Sequence, residues 1–260
     1  MKLIFVTQDE PFFIRHFFRR FMAEYPAGSI RGIVIQRTFD KKSKAGAIKQ
    51  ALGFFGPWGF FIMAIRALGL RVSDMALRAI GRNSGTSIQS IARLHGVPVL
   101  PFRSVNTKEF LEFLRMESID LVVSVAASEI FNSPALNAPR LGCINIHSAP
   151  LPRYRGMMPN FWVLYHGEKE AYVSIHRMEE KLDSGPILMQ ESFPILPGES
   201  YVSLASRSKV FAAGLLIKCI EKLESGNVET LPNDPEKATY FTFPKPKEAR
   251  EFRGKGGRIT

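Results

Sequence analysis

Short apolar segments rich in β-branched residues recur along this chain, and segments with helical spacing separate them. Strands are predicted at 2–6, 30–36, 97–100, 120–125 and 143–146. Helices are predicted between them at 10–24, 84–95, 107–116 and 133–136. Strands that alternate with helices form βαβ units, and right-handed crossovers between these units build a parallel sheet. The pattern therefore predicts an α/β, Rossmann-like fold with a mostly parallel twisted sheet.

The second half of the chain has a different texture. Two strands, 172–178 and 187–193, flank a turn at Leu182-Asp183-Ser184-Gly185, and a long helix follows at 201–223. We expect residues 1–225 to form the main domain and 226–260 to form a short, β-containing C-terminal extension. Its segment 245–258 holds six basic residues and two acids, which predicts a tail that lies on the surface or is mobile.

Several chemistries are not expected. Thr7-Gln8-Asp9-Glu10 follows the first strand where a dinucleotide-binding fold carries G-x-G-x-x-G, so no dinucleotide cofactor is predicted. Cys143 and Cys219 are too few for a disulfide framework or a four-thiolate zinc site, and no metal is expected. With no secretory pattern at the start of the chain, these cysteines predict a cytoplasmic location.

The net charge of +11 indicates an acidic partner, and the excess is concentrated at 41–82. This insertion holds eight basic residues and one acid, and it contains the uncharged run QALGFFGPWGFFIMAI. Three interpretations stay open: a buried loop and helix inserted in the fold, an aromatic wedge in an anionic membrane surface, and a spanning helix. The wedge would place the protein peripherally at the inner membrane face. Its aromatic residues would be Phe54, Phe55, Trp58, Phe60 and Phe61.

Three polar residues are candidates for catalysis. Asn145 and His147 end a predicted strand, and alternation puts them on the same side of it. Asp183 lies in the later turn, and ligands of open α/β sheets bind at the carboxyl ends of strands. An amide and an imidazole could stabilise an oxyanion while a carboxylate orients the imidazole, which is the chemistry of acyl transfer to an amine. Each residue alone is more typical of a structural role, so the prediction depends on all three.

The stretch NIHSAPLPRYRG, followed by SIHRMEEKLDSGPIL, closely resembles the N10-formyltetrahydrofolate-dependent formyltransferases. The resemblance covers about 50 residues and is looser upstream. It implies that Asn145 and His147 stabilise the oxyanion and that Asp183 fixes His147 and assists proton removal. Residues 1–225 would be the formyltransferase catalytic domain, and N10-formyltetrahydrofolate would be the donor. Residues implied to bind this donor are Ser124, Ala126, Ala127, Ile130 and Leu182.

The resemblance also bears on the acceptor. The residues implied to bind it are Tyr154, Arg155, Gly156 and Met158. The sequence GMMPNFW at 156–162 is similar to a pattern of the sugar N-formyltransferases, which implies a nucleotide- or lipid-linked amino sugar of cell-surface polysaccharide biosynthesis. Two alternatives stay open: a methionyl-tRNA formyltransferase-like enzyme and a non-catalytic folate-binding relative. Methionyl-tRNA formyltransferases carry a further C-terminal domain that contacts RNA. Because only about 35 residues follow the long helix here, which are too few for such a domain, we expect no nucleic-acid partner. A homodimer stays open.

Overall fold

The structure, a computed structural model, describes residues 1–36, 44–82 and 85–260. Its seven-stranded sheet has the order β3-β2-β1-β4-β5-β7-β8, with β1 to β5 parallel and β7 and β8 antiparallel at one edge. The predicted α/β fold with a mostly parallel sheet is therefore confirmed. The strands of this sheet are β1 (Leu3–Gln8), β2 (Ile30–Gln36), β3 (Val99–Leu100), β4 (Leu121–Val125), β5 (Cys143–His147), β7 (Glu170–Arg177) and β8 (Ile187–Pro194). A separate two-stranded ribbon pairs β6 (Arg155–Gly156) with β9 (Tyr240–Phe241).

Helices cover both faces of the sheet. They are α1 (Ile14–Glu24), α2 (Lys44–Ala79), α3 (Ile88–Leu94), α4 (Lys108–Met116), α5 (Ser133–Asn137), α6 (Pro159–Tyr165), α7 (Tyr201–Ser225) and α8 (Pro246–Gly254). Alternation along β1 sends Leu3 and Phe5 into a core with α1, α3 and α7, and sends Ile4 and Val6 into a second core with α4 and α5. Because both faces are buried, the central strands are continuously apolar, as the sequence indicated.

The predicted elements are present, with local shifts at their ends. Helix α4 begins after Thr107, whose hydroxyl accepts a hydrogen bond from the Phe110 N–H as the predicted cap. Helix α1 begins at Ile14 rather than Glu10, because the Glu10 carboxylate accepts the N–H groups of Phe12, Phe13 and Ile14 and so precedes the helix. Helix α3 begins at Ile88, and the expected start at Ser84 lies outside the described residues.

The insertion at 41–82 is helical where the structure describes it; Lys41 and Lys42 lie outside that part. A kink at Gly56, where φ is 72° and ψ is 170°, precedes Pro57 and divides α2. Phe54 is 1% exposed, whereas Trp58 is 73% exposed and Phe61 is 52% exposed. The interpretation as a buried loop and helix is therefore wrong, because only the inner face of α2 packs on the domain.

Helix α2 also satisfies a length-and-composition test for a membrane span. Residues Ala45–Ala79 have a mean hydropathy of 1.5 in their most apolar window, of which 17% is buried. This is weak support for crossing a membrane. The packing of Phe54 and Met63 against the domain favours a helix that lies along the protein surface.

The segment 226–260 is structured, and residues 245–258 take the surface position, one of the two alternatives expected for them. Strand β9 pairs with β6, and α8 packs beside α2. The side chains of Ala249, Phe252 and Ile259 are buried in one cluster with Phe54 and Phe161. Most basic side chains of this segment face solvent, whereas Arg253 is half-buried and donates to the Phe54 carbonyl at 2.7 Å, and the apolar side chains anchor the segment. The division of the chain at residue 225 stays a prediction.

Candidate active site

The structure brings Asn145, His147 and Asp183 together at the carboxyl end of β5. Asn145 Nδ2 lies 3.4 Å from Asp183 Oδ1, and His147 Nδ1 lies 3.6 Å from Asp183 Oδ2. His147 is 5% exposed and Asp183 is 6% exposed. An amide, an imidazole and a carboxylate thus share one site at the edge of the sheet where α/β folds bind ligands.

Backbone geometry fixes the carboxylate. Asp183 has a φ of 52°, an uncommon value for a residue with a side chain, and its Oδ2 accepts the Gly156 N–H at 2.9 Å. The Asn233 side chain donates to the carbonyls of Asp183 and Gly185 at 2.9 and 2.8 Å. Burial opposes ionisation of Asp183, but the positive charge of protonated His147 and the hydrogen bond from the Gly156 N–H outweigh it and hold the pKa of Asp183 well below its usual range.

The carbonyl of Tyr154 sets the tautomer of His147. His147 Nε2 lies 2.7 Å from the Tyr154 oxygen, and a carbonyl only accepts, so Nε2 carries a hydrogen and Nδ1 faces Asp183. Burial lowers the pKa of His147, although the charge of Asp183 and the Tyr154 carbonyl act in the opposite direction. The neutral ring therefore presents an unprotonated Nδ1 that can take up a proton.

His176 is a fourth polar member of the site that the sequence did not single out. It lies opposite Asn145 in the sheet, with its Nε2 at 3.2 Å from Asn145 Nδ2 and 3.5 Å from Asp183 Oδ1. Its Nδ1 donates to the Arg177 carbonyl at 2.7 Å, so Nε2 accepts from the Asn145 amide. The Asn145 amide nitrogen thus contacts two protein groups. If Asn145 Nδ2 donated a hydrogen bond to a substrate oxygen, that bond would replace the longer of these two contacts, the one to Asp183.

A recognisable signal for His176 was present in the sequence. It belongs to SIHRMEEKLDSGPIL, and alternation on β7 places it on the same face as Ser174, which bonds the Ala149 carbonyl beyond His147. Asn233 carried no such signal, because it lies 50 residues from Asp183 along the chain.

The predicted donor-binding loop lies at the carboxyl end of β4. Ser124 is buried within the strand, opposite Asn145, while Ala126 has a φ of 54° and Ala127 is half-buried. Ile130 is 67% exposed and Leu182, beside Asp183, is 44% exposed. Two exposed apolar side chains and the backbone of a tight turn fit the edge and face of a planar ring. The assignment of these residues to the donor stays a prediction.

The Glu129 carboxylate holds this loop in place. It accepts hydrogen bonds from Gln36 Nε2 at 3.0 Å, from Ser104 Oγ at 2.6 Å and from the Val105 N–H at 3.0 Å. The Asn106 side chain donates to it as well, at 3.0 Å. A carboxylate with this many donors ties together three loops at the carboxyl edge of the sheet, so the turn after β4 is rigidly placed.

The predicted acceptor-binding residues differ in what they present. The Tyr154 side chain is buried and its hydroxyl donates to Glu168, and the Arg155 guanidinium donates to Asn233 Oδ1 at 2.7 Å. Gly156 reaches the site through its N–H, and Met158 caps α6 with a φ of 52°. These residues therefore shape the site largely through their backbone. Phe161 and Trp162 are buried in the core around α6.

Within the described residues, no group of three or more His, Cys, Asp or Glu side chains is placed to hold a metal ion.

Comparisons with known proteins agree with this fold. Residues 98–220 match the family described as Formyl transferase. Methionyl-tRNA formyltransferase of Thermotoga maritima is 37% identical over 163 residues, which are 63% of this chain and 52% of that protein. The chain thus spans about half the length of the curated relatives it matches. Over these residues the chain resembles the formyltransferases.

Solved structures share the fold at lower identity. Glycinamide ribonucleotide transformylase 1 of Symbiobacterium toebii is 19% identical, with a TM-score of 0.58 over 89% of this chain and 94% of that one. An N-formyltransferase of Helicobacter canadensis, in complex with folinic acid and dTDP-3-aminofucose, is 15% identical, with a TM-score of 0.54 over 93% of this chain and 71% of that one.

Proposed function

We propose that this protein transfers a formyl group from N10-formyltetrahydrofolate to the amine of an acceptor. The observation that carries the proposal is the convergence of Asn145, His147 and Asp183 within 3.6 Å at the carboxyl edge of the sheet. The donor, when bound, supplies an activated formyl carbon. An unprotonated imidazole beside a buried carboxylate is suited to remove a proton from an attacking amine.

The residues divide the work in a balanced step. As the acceptor nitrogen bonds to the formyl carbon, negative charge develops on the formyl oxygen, and the Asn145 amide donates to it. His147 Nδ1 takes the proton that the nitrogen loses, and Asp183 stabilises the protonated ring. When the bond from the formyl carbon to N10 breaks, His147 returns the proton to N10, which leaves a formamide and tetrahydrofolate.

The donor fits the residues that surround the site. Exposed Leu182 offers apolar contact beside Asp183, exposed Ile130 offers it in the loop after β4, and the turn at Ala126 offers backbone groups for a pterin edge. The neighbouring structure from Helicobacter canadensis, which holds folinic acid, supports a folate as the donor.

We propose an amino sugar, carried on a phosphorylated nucleotide or lipid, as the acceptor. The net charge of +11 suits a diphosphate, and the Helicobacter canadensis relative holds dTDP-3-aminofucose. The 37% identity to a methionyl-tRNA formyltransferase favours a second candidate, methionyl-tRNA. Single-turnover formylation of a panel of nucleotide-linked amino sugars and of methionyl-tRNA separates the two. Transfer to neither acceptor, with folate still bound, would indicate a non-catalytic relative.

We also propose that an anionic membrane surface is a partner of the insertion, at the cytoplasmic side. Beyond the kink, apolar side chains recur at alternating spacings of three and four, so they form one exposed stripe along α2. This stripe consists of Trp58, Phe61, Ile65, Leu68, Val72 and Met75. Arg66 lies on one side of the stripe and Arg71 and Arg78 on the other, and the one acid of α2, Asp74, is buried on its inner face. Apolar residues between cations are typical of helices that lie in a membrane interface.

Liposome flotation tests this surface. Vesicles of phosphatidylcholine with one third phosphatidylglycerol should float the wild type but not a Trp58→Ser, Phe61→Ser double variant. Met116→Ser removes an equally exposed apolar side chain away from α2 and should float like the wild type. Equal flotation of all three proteins would contradict the proposal. A change of oligomeric state confined to the double variant would instead assign the stripe to a homodimer.

A further inference from the structure

A cleft of about 430 Å³ lies between α2, the start of α1 and the start of α7. It is formed behind the exposed stripe, so one wall of the cleft and the stripe belong to the same helix. Its lining includes three basic side chains, Arg15, His16 and Arg66, and none of the lining residues that the structure describes is acidic. The site described above uses none of these residues.

The cations of the cleft are crowded. Arg15 and His16 are consecutive on α1, and Arg19 lies one turn away. Burial lowers the pKa of Arg15 and of His16, and the positive charge of Arg19 lowers both further. The Nε of Arg15 is buried and has no hydrogen-bond partner. Glu10 is the nearby acid, but its carboxylate accepts three backbone N–H groups at 2.7 to 3.2 Å. A cluster of this kind favours an anion that can accept several hydrogen bonds.

The remaining wall is apolar. Met63 and Leu70 from α2 face Phe12, Phe13 and Val202 across the cleft. Gly69 opens the wall between them: a Cβ built at this position meets nothing within 4 Å. Glycine is disfavoured relative to alanine in the interior of a helix, so helix stability does not account for a glycine at this position.

Contacts connect the cleft with the proposed active site. The ring of Phe13 packs on Tyr201 at 5.7 Å, and Tyr201 packs on Phe54 at 5.3 Å. Phe54 belongs to the same buried cluster as Tyr154, whose carbonyl holds His147. The cleft therefore lies between the buried cluster that contains Tyr154, beside the proposed active site, and the exposed stripe of α2 that is proposed to contact the membrane.

We propose that this cleft binds the phosphate or diphosphate of a lipid whose apolar chain lies against α2, so that the acceptor amine is carried by a phosphorylated lipid. The inference rests on the proposed function, since it names the carrier of that acceptor. Arg15 and Arg66 bind the phosphate oxygens, and the apolar wall opened by Gly69 takes the first part of the chain. The outer stripe and the cleft then act on the same membrane component.

Isothermal titration with farnesyl diphosphate, below its micelle concentration and without any folate, tests the site. Arg66→Gln and Gly69→Leu should each weaken binding by tenfold or more, the first by removing a cation and the second by filling the cleft. Arg115→Gln and Gly28→Leu are matched controls and should bind like the wild type, because Arg115 is an exposed cation on α4, outside the cleft, and a Cβ at Gly28 also meets nothing within 4 Å.

Two further probes separate the sources of affinity. Farnesol and inorganic diphosphate should each bind at least tenfold more weakly than farnesyl diphosphate. Equal binding of diphosphate would overturn the lipid assignment, equal binding of farnesol would overturn phosphate recognition, and unchanged binding by Gly69→Leu would place the ligand elsewhere. Formyl transfer to nucleotide-linked amino sugars without farnesyl diphosphate binding would refute the carrier alone. Binding without transfer to any acceptor would refute the proposed function.

Discussion

Replacing Asp183 with asparagine tests the arrangement of the site with the least change in shape. The substitution removes one negative charge that lies 3.6 Å from His147 Nδ1 and 3.5 Å from His176 Nε2. It also places an amide where Asp183 Oδ2 now accepts the Gly156 N–H. The catalytic residue His147 keeps its Tyr154 partner, so the loss is electrostatic rather than steric.

The geometry gives the magnitude. Two unit charges 3.6 Å apart interact by about 4–5 kcal/mol at an effective dielectric constant of ~20, and ~1.4 kcal/mol corresponds to a tenfold change in rate. We therefore expect single-turnover formyl transfer by Asp183→Asn to fall by about 10²–10⁴. Because the charge of Asp183 raises the pKa of His147, the variant should also shift the titration of His147 to lower pH.

Two measurements check this prediction. Quench-flow follows formylation of the acceptor, and the ring-proton resonance of His147 gives its titration midpoint by NMR. Asp120→Asn is the control, since Asp120 is a carboxylate that pairs with Arg140 before the amino end of β4, at the opposite edge of the sheet, and it should leave both quantities unchanged. Turnover within threefold of the wild type, or a His147 midpoint that does not move, would refute the role assigned to Asp183.

Three other changes have defined outcomes. Gly156→Ala places a Cβ 2.2 Å from the Phe241 carbonyl oxygen at a φ of 99°, and it should lower the free energy of unfolding in urea by more than ~2 kcal/mol. Gly167→Ala, with a φ of 73° but open space around the Cβ, should lower it by about 1 kcal/mol. Equal losses of stability in the two variants would contradict the clash. Because only Phe54 is buried, Phe54→Ala should lower the free energy of unfolding by about 3–5 kcal/mol, whereas Phe61→Ala should change it by less than ~0.5 kcal/mol. Comparable losses would mean that Phe54 does not anchor α2 to the domain. Burial lowers the pKa of Lys209 to about 8, so at pH 7 the folded state holds a disfavoured charge that is relieved as the pH rises towards the unfolded value. The free energy of unfolding of the wild type should therefore rise between pH 8 and pH 10, and Lys209→Met should lack this rise; parallel pH profiles of the two proteins would contradict it.

The sheet could be predicted from the sequence because its signals are local. Continuous apolar runs rich in β-branched residues define β1, β2 and β4, and the Thr107 cap defines the start of α4. The start of α1 was missed because the Glu10 carboxylate takes the N–H groups that would otherwise begin the helix. The spacing of apolar residues cannot tell such a segment, in which a side chain accepts the N–H groups, from a true first turn of the helix.

The site was predictable where its residues share one short motif, and less so elsewhere. Asn145 and His147 are two positions apart on β5, whereas His176 joins them only through the antiparallel pairing of β5 with β7. Arg155 has a residue type that suggests a ligand contact, yet its guanidinium is buried against Asn233. Residue type alone could not decide between an internal partner and an external one.

The outer stripe of α2 illustrates a different limit. Composition showed that residues 41–82 are apolar and basic, but not which face is covered. Only the packing of Phe54 and Met63 on the domain, with Trp58 and Phe61 in solvent, separates an inner from an outer face. Phe54 lies before the kink at Gly56 and Met63 lies after it, so both halves of α2 contact the domain.

The ribbon of β6 and β9 makes distant segments of the chain depend on one another. The Thr239 hydroxyl and carbonyl accept the N–H groups of Tyr154 and Arg155, the two residues beside the donor to Asp183, and Asn233 grips the aspartate's own loop. A protease nick at residues 226–231 would spare every reacting atom yet release this brace. Inactivation by such a cut, with the fragments still associated, would show that β9 must be connected to the rest of the chain to hold Tyr154 and Arg155 in place.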